Sequence, residues 1–247
     1  MQKFYNAVEL FFIGLLNLLY NAGILTYEFI RYGNRKWWWS LRWQFLVNYA
    51  TSPAFRIVRG ESPDQEYPQD NFIYGETPAH TLEKILTLCD ARRDQLFIDL
   101  GCGRGLTVYY ANFLFGMKAH GYELLPTFIQ KSRQIKEALD ARGVKFYQKD
   151  ILKADIKKAR IIFIAGTTFD DSFIVQLTEK LREAGPGAVI VTLSYRLPEK
   201  FFSLFREQKM LFTWGTTHVY FHRRRDKAKS PRKSEGNCRD DISPSKG

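Results

Sequence analysis

The chain has 247 residues, of which 45% are hydrophobic, so it is long enough and apolar enough to bury the core of a globular domain. Its three cysteines are odd in number and lack metal-ligand spacing, which argues against a disulfide framework and a metal site. The net charge of +11 lies mainly in the flanks, with +5 in residues 1–60 and +5 in residues 223–247, and this distribution disfavours a nucleic-acid enzyme.

The first predicted element is a hydrophobic helix, because residues 10–27 contain no charged side chain and are just long enough to cross a bilayer. At helical spacing one face nevertheless carries a narrow polar stripe, made of Lys3, Asn6, Gly14, Asn17, Asn21 and Glu28 and interrupted by Leu10 and Ile24. A single transmembrane helix surrounded by lipid would not be stabilised by this polar stripe. It fits a helix that lies in the membrane interface, packs on a partner helix or folds back on its own domain.

Tryptophans and arginines alternate in the next stretch, RYGNRKWWWSLRWQF, which is typical of chains at a lipid headgroup layer. We expect membrane contact here, with packing of a basic amphipathic helix on the protein itself as the alternative. If residues 10–27 cross the membrane, the following basic residues place the rest of the chain on the cytoplasmic side. These are Arg31, Arg35, Lys36 and Arg42.

Four segments are predicted. Residues 1–60 form the hydrophobic and aromatic-basic helical segment, residues 61–77 a connector and covering loop, residues 78–222 the main domain, and residues 223–247 a basic disordered tail. Within the main domain we predict helices at 78–90, 104–115, 126–142, 170–183 and 198–207. Strands are predicted at 95–100, 118–123, 144–149, 160–165, 187–194, 209–214 and 217–223. This alternation predicts an α/β fold with a doubly wound, mostly parallel seven-stranded sheet.

The most informative motif, IDLGCGRG, joins the first predicted strand to a helix. Gly101, Gly103 and Gly105 let the backbone take positive φ and let a ligand approach closely. Asp99 stands two residues before the first of them, and its charge would repel a pyrophosphate but attract a ligand with a cationic amino-acid end. S-adenosylmethionine is a nucleoside of that kind.

Two further acids follow later strands in the same way. Glu123 ends the second strand and is placed to accept hydrogen bonds from ribose hydroxyls, while Asp150 ends the third and is placed to receive the adenine amino group. The carboxyl ends of neighbouring parallel strands meet at one sheet edge. Three acids at that edge therefore predict a nucleoside-binding site.

With these motifs the chain resembles the class I S-adenosylmethionine-dependent methyltransferases over roughly residues 72–222. The resemblance implies S-adenosyl-L-methionine as cofactor and a Rossmann-like fold. It also implies a set of cofactor-binding residues: Glu76, Thr77, Asp99, Gly101, Cys102, Gly103, Glu123, Asp150, Ile151 and Gly166.

The stretches FIYGETPAHTL and TWGTTHVYFHRR are similar to the covering loop and last hairpin of the non-SET histone-lysine methyltransferases of the disruptor-of-telomeric-silencing type. One departure is that Ala165 and Gly166 stand where those enzymes place asparagines. The hydrophobic N-terminus and DILKADIKKARIIFI are also similar to membrane-associated protein-lysine methyltransferases.

These resemblances imply a protein-lysine acceptor, reached through an aromatic channel whose candidate residues are Tyr74, Phe169, Trp214 and Tyr220. A neutral amine needs a dry approach more than a strong base. Three other functions remain open: a membrane-associated small-molecule or lipid methyltransferase, a non-catalytic S-adenosylmethionine-binding module, and a nucleic-acid enzyme that would need the basic tail for affinity. The expected partners are a protein with an acceptor lysine and a membrane surface, without nucleic acid or metal.

Overall fold

The computed structural model describes residues 2–61, 75–167 and 169–225, with side chains from residue 12 onward. Tyr74 and the predicted disordered tail beyond residue 225 lie outside the described residues. Three helices come first: α1 (Gln2–Tyr32), α2 (Lys36–Tyr49) and α3 (Ala54–Glu61).

The remaining elements alternate strand and helix. They are α4 (Ala79–Leu88), β1 (Leu96–Leu100), α5 (Leu106–Phe115), β2 (Lys118–Glu123), α6 (Pro126–Ala138), β3 (Val144–Gln148), β4 (Ile161–Ile164), α7 (Asp171–Leu181), β5 (Val189–Leu193), β6 (Phe202–Phe212) and β7 (Gly215–Arg224). A 3₁₀ turn, Ile151–Lys153, follows β3.

All seven strands form one sheet in the order β3-β2-β1-β4-β5-β7-β6. Neighbours from β3 to β5 are parallel, and β7 runs antiparallel between β5 and β6. Both faces of the central strands are apolar, because parallel strands are covered by helices on each side. One face packs on α2, α4, α5 and α6, and the other packs on α7. The predicted doubly wound sheet is confirmed.

One predicted element is wrong. Residues 198–207 were expected to form a helix, but residues from Phe202 onward belong to the 11-residue strand β6. Phe202, Ser203 and Leu204 pair with β7, and the pairing resumes at Arg206 after a bulge at Phe205. Tertiary pairing has overridden the local helical pattern, as is common for short apolar runs that fit either structure.

Part of the polar stripe on α1 is the face that docks on the domain. Glu28 is fully buried, accepts a hydrogen bond from the Ala79 backbone N–H at the start of α4, and pairs with Arg42 of α2. Farther along the helix, Tyr20 Oη donates to the Phe212 carbonyl at 2.8 Å and Asn21 Nδ2 to the Thr213 carbonyl at 3.2 Å. Both acceptors lie at the β6–β7 turn. The helix thus folds back on its own domain.

Helix α2 is apolar on two opposite faces. Trp38, Leu41, Phe45 and Tyr49 are buried in the core, whereas the other face exposes Trp39, Trp43, Leu46 and Val47. A helix at a water-facing surface normally has a polar outer side. The aromatic-rich stretch therefore packs on the protein and still presents an apolar surface outward.

Candidate active site

A cavity of about 420 Å³ opens at the carboxyl ends of β1, β2 and β4. Most of its described lining comes from the Gly75–Thr77 segment before α4, the glycine turn after β1, and the residues that follow β2, β3 and β4. Trp214, in the turn between β6 and β7, also lines it. Ten residues were predicted to bind a cofactor, and the structure brings all of them to this cavity: Glu76, Thr77, Asp99, Gly101, Cys102, Gly103, Glu123, Asp150, Ile151 and Gly166.

The glycine turn adopts the backbone that its sequence requires. Gly101 and Gly105 have φ values of +87° and +82°, in the region that residues with a Cβ rarely adopt. A Cβ added at Gly101 would meet no atom within 4 Å, so the space beside this glycine is open to a ligand. At Gly105, by contrast, a Cβ would overlap the Phe146 ring.

Asp99 lies 2% exposed at the floor of the cavity. Its Oδ2 accepts a hydrogen bond from the Thr107 hydroxyl, while its buried Oδ1 has no partner in the described structure. Burial, with a smaller contribution from the nearby Glu123 charge, raises the pKa of Asp99 to about 7, although the Thr107 hydrogen bond opposes the rise. A buried carboxylate oxygen without a donor is costly. A cationic ligand group at Oδ1 would favour its charged form.

Glu123 is held by the backbone around it. Its Oε1 accepts from the Leu124 and Leu125 N–H groups at 2.7 and 2.9 Å, and its Oε2 accepts from the Gly103 N–H at 2.9 Å. Burial raises the pKa of this carboxyl, and the three backbone donors oppose that rise. The side chain thus ties the end of β2 to the glycine turn of β1.

Asp150 marks the third strand end. Its Oδ1 accepts from the Leu152 N–H at 2.8 Å and so fixes the 3₁₀ turn that carries Ile151 against the cavity. Cys102 is buried in the glycine turn, and burial together with the nearby Asp99 and Glu123 raises the pKa of its thiol, which keeps it protonated and unreactive.

Two aromatic rings pack against glycines and so close two sides of the cavity. Trp214 stacks on Phe212 with ring centroids 4.8 Å apart, and a Cβ at Gly75 would overlap its ring. Phe169 lies against Gly166 in the same way and packs edge-on against Phe173 at 4.7 Å. Only glycine permits these close approaches.

Of the four predicted channel residues, Trp214 and Phe169 line the cavity. Tyr220 does not: it lies on β7 opposite Thr192 and Glu207, with the Arg196 guanidinium 5.3 Å from its ring centroid. Tyr74 lies outside the described residues. Among the described residues, no group of three or more His, Cys, Asp or Glu could hold a metal ion.

Sequence reasoning missed several lining residues, notably Arg104, Thr107 and Phe163. Arg104 and Thr107 stand in or just after the glycine motif, so their positions could have identified them as lining residues. Phe163 is a fully buried residue of β4, and no sequence signal separates it from ordinary core.

Strand order and an acid-lined cavity at the switch point between β1 and β4 define a class I S-adenosylmethionine-dependent methyltransferase fold. The crystal structure of an RNA methyltransferase from Salinibacter ruber, in complex with S-adenosyl-L-homocysteine, is similar with a TM-score of 0.53 and 26% identity. The similarity covers 63% of this chain and 97% of that one.

The family described as "Histone methylation protein DOT1" matches residues 61–221, and the chain belongs to this family. A histone-lysine N-methyltransferase, H3 lysine-79 specific, from Cryptococcus neoformans is 25% identical over 187 residues, or 64% of this chain and 29% of that protein. The enzyme of the same name from Yarrowia lipolytica is 25% identical over 170 residues, or 62% of this chain and 34% of that protein. The chain thus spans about a third or less of these curated relatives.

Proposed function

We propose that the protein transfers a methyl group from S-adenosylmethionine to the ε-amine of a lysine in a protein. The observation that carries this proposal is one cavity with two chemically different parts: a carboxylate-lined cradle at the strand ends and an aromatic wall made by Trp214 and Phe169. Membership of the DOT1 family and the histone-lysine specificity named for its curated relatives support lysine as the acceptor.

The residues present fit the cofactor. Asp99 offers an unpartnered buried oxygen to a cationic group, Glu123 lies where ribose hydroxyls are expected, and Gly101 leaves open space for close approach. When bound, S-adenosylmethionine would supply an electrophilic methyl group: the lone pair of a neutral lysine amine attacks the methyl carbon while the carbon–sulfur bond breaks, and the sulfur leaves as the neutral thioether of S-adenosylhomocysteine.

The chain's own residues prepare the amine for this displacement. Trp214 and Phe169 exclude water and favour the neutral amine, because an apolar environment lowers the pKa of lysine. The same two rings would also orient the amine, and orientation together with water exclusion can supply a large part of the rate. The proton released by the methylated amine passes to solvent.

Incubation with radiolabelled S-adenosylmethionine and fractionated lysate tests this proposal. We expect label in protein that is released as methyl-lysine on acid hydrolysis. Label confined to lipid, RNA or small molecules would contradict the lysine acceptor. Cofactor binding without any transfer would instead indicate a non-catalytic binding module.

We also propose that the outer surface of α1 and α2 contacts a lipid bilayer. The segment Phe12–Tyr32 has the length and the composition to span a membrane, and only 6% of its most apolar 18-residue stretch is buried. On α1, Leu18 is 66% exposed, and on α2, Trp43 and Leu46 are each 62% exposed. An apolar surface of this extent is unusual on a water-facing protein.

Charge and ring type favour lipid over a second protein. Arg31, Arg35 and Lys36 lie exposed at the turn between α1 and α2, beside the exposed indole of Trp39. Indoles and cations next to an apolar face suit the headgroup layer of an anionic membrane.

Flotation with vesicles that contain anionic lipid tests the membrane surface. The full chain should float, and the double variants L18N/L25N and W43S/L46S should each reduce the floated fraction at least about fivefold, since each removes roughly 2 kcal/mol or more of apolar transfer free energy. Val175→Ser is the matched control, because Val175 is 64% exposed on α7, across the sheet. A full chain that stays soluble as a dimer would show that a second copy covers this surface instead.

A further inference from the structure

Arg104 stands between Gly103 and Gly105 in the glycine turn and lines the cavity. Among the described lining residues it is the only lysine or arginine, whereas four carboxylates line the same space. These are Glu76, Asp99, Glu123 and Asp150. The cavity is therefore strongly acidic except at this one position.

The guanidinium of Arg104 is held in place on two sides. Its Nε donates to Glu76 Oε1 at 2.7 Å, and its Nη2 contacts the same oxygen. On the other side it lies over two rings of α2, 4.8 Å from the Tyr49 centroid and 5.2 Å from that of Phe45. The side chain is 20% exposed. A guanidinium has five N–H donors, so one that Glu76 and two rings hold in a fixed plane can still engage a second carboxylate through its other N–H groups.

The amino-acid end of S-adenosylmethionine carries an ammonium and a carboxylate. Glu76 and Asp99 suit the ammonium, but their charges would repel the carboxylate. We propose, on the basis of the function proposed above, that Arg104 binds the α-carboxylate of the cofactor. Phe45 and Tyr49 then act as positioning residues, which makes α2 part of the cofactor site.

A different role for Arg104 is to brace Glu76 and so hold the covering segment closed. The two roles differ in which ligands they affect. A brace would matter equally for every ligand under the segment, whereas a carboxylate contact matters only for ligands that carry the carboxylate.

Titration calorimetry with S-adenosylmethionine and with decarboxylated S-adenosylmethionine separates the two roles. Wild type should bind the carboxylated ligand at least about tenfold more tightly, since charged hydrogen bonds contribute roughly 1.5–3 kcal/mol. Arg104→Gln should bind the carboxylated ligand about ten- to 100-fold more weakly, whereas its affinity for the decarboxylated ligand should change less than about twofold. Arg104→Lys should keep part of the preference.

Lys131→Met is the matched control, because Lys131 also lies over the Tyr49 ring, at 5.3 Å, but does not line the cavity. It should keep the wild-type preference. If Arg104→Gln lost equal affinity for both ligands, the proposal would be overturned. It would also be overturned if the wild-type protein bound both ligands equally well, and that measurement does not depend on a variant that folds. A wild type that binds neither ligand would instead refute the proposed function itself.

Discussion

Replacement of Glu123 by alanine should lower the affinity for S-adenosylmethionine at least about 100-fold. The carboxylate accepts three backbone N–H groups as well as the expected ribose hydroxyls. Each buried N–H donor left without an acceptor costs about 1–3 kcal/mol. The variant therefore loses the ribose contacts directly, and it also loses the hydrogen bond that holds the glycine turn in place. Calorimetry measures the affinity, and the thermal unfolding midpoint should fall as well.

Glu137→Ala is the control for this variant, because Glu137 is an exposed carboxylate on α6. Glu123→Gln retains one accepting oxygen and should lie between wild type and the alanine variant. An affinity of Glu123→Ala within about threefold of wild type would remove the ribose-binding assignment.

Replacement of Trp214 by alanine should lower the rate of methyl transfer about 100-fold while the cofactor dissociation constant changes less than about threefold. The Trp214 ring lines the cavity and packs over Gly75, and it offers a cofactor no charged group. Its loss admits water to the acceptor side and loosens the alignment of the amine. The measurement is the initial rate of label transfer to the lysate protein that wild type labels most strongly.

Phe205→Ala is the matched control, since Phe205 lies on the same hairpin and is 40% exposed, as is Trp214. It should transfer label at the wild-type rate. Equal losses of rate and cofactor affinity in Trp214→Ala would place this tryptophan in the cofactor cradle instead.

The central sheet could be predicted because its signals are local. β1, β2 and β3 are short strands that contain, end in or closely precede an acid, and this pattern predicted both the strands and three of the four carboxylates that line the cavity. The prediction of a helix at 198–207 is wrong because those residues pair with β7. This contact is with another segment, so the local sequence does not reveal it.

The N-terminal helices could be predicted only in part for the same reason. Glu28 was assigned to a polar stripe, but its partners lie 14 and 51 residues away along the chain, at Arg42 and Ala79, and no local pattern identifies them. Arg104 was overlooked because the glycines around it explain the turn through their backbone alone. Its role emerges only where Glu76 and Tyr49 surround it.

The contact between Tyr20 and Phe212 has a consequence for biosynthesis, because it joins residues 192 positions apart. At ribosomal rates of about 5–20 residues per second, α1 emerges roughly ten to forty seconds before the hairpin on which it docks. Through that interval α1 lacks the hairpin that its middle part contacts, although its C-terminal end can already pack on α2 through Phe29 and Trp38. We expect targeting factors or chaperones to engage α1 cotranslationally, so that the destination of the protein is decided before its cavity is complete.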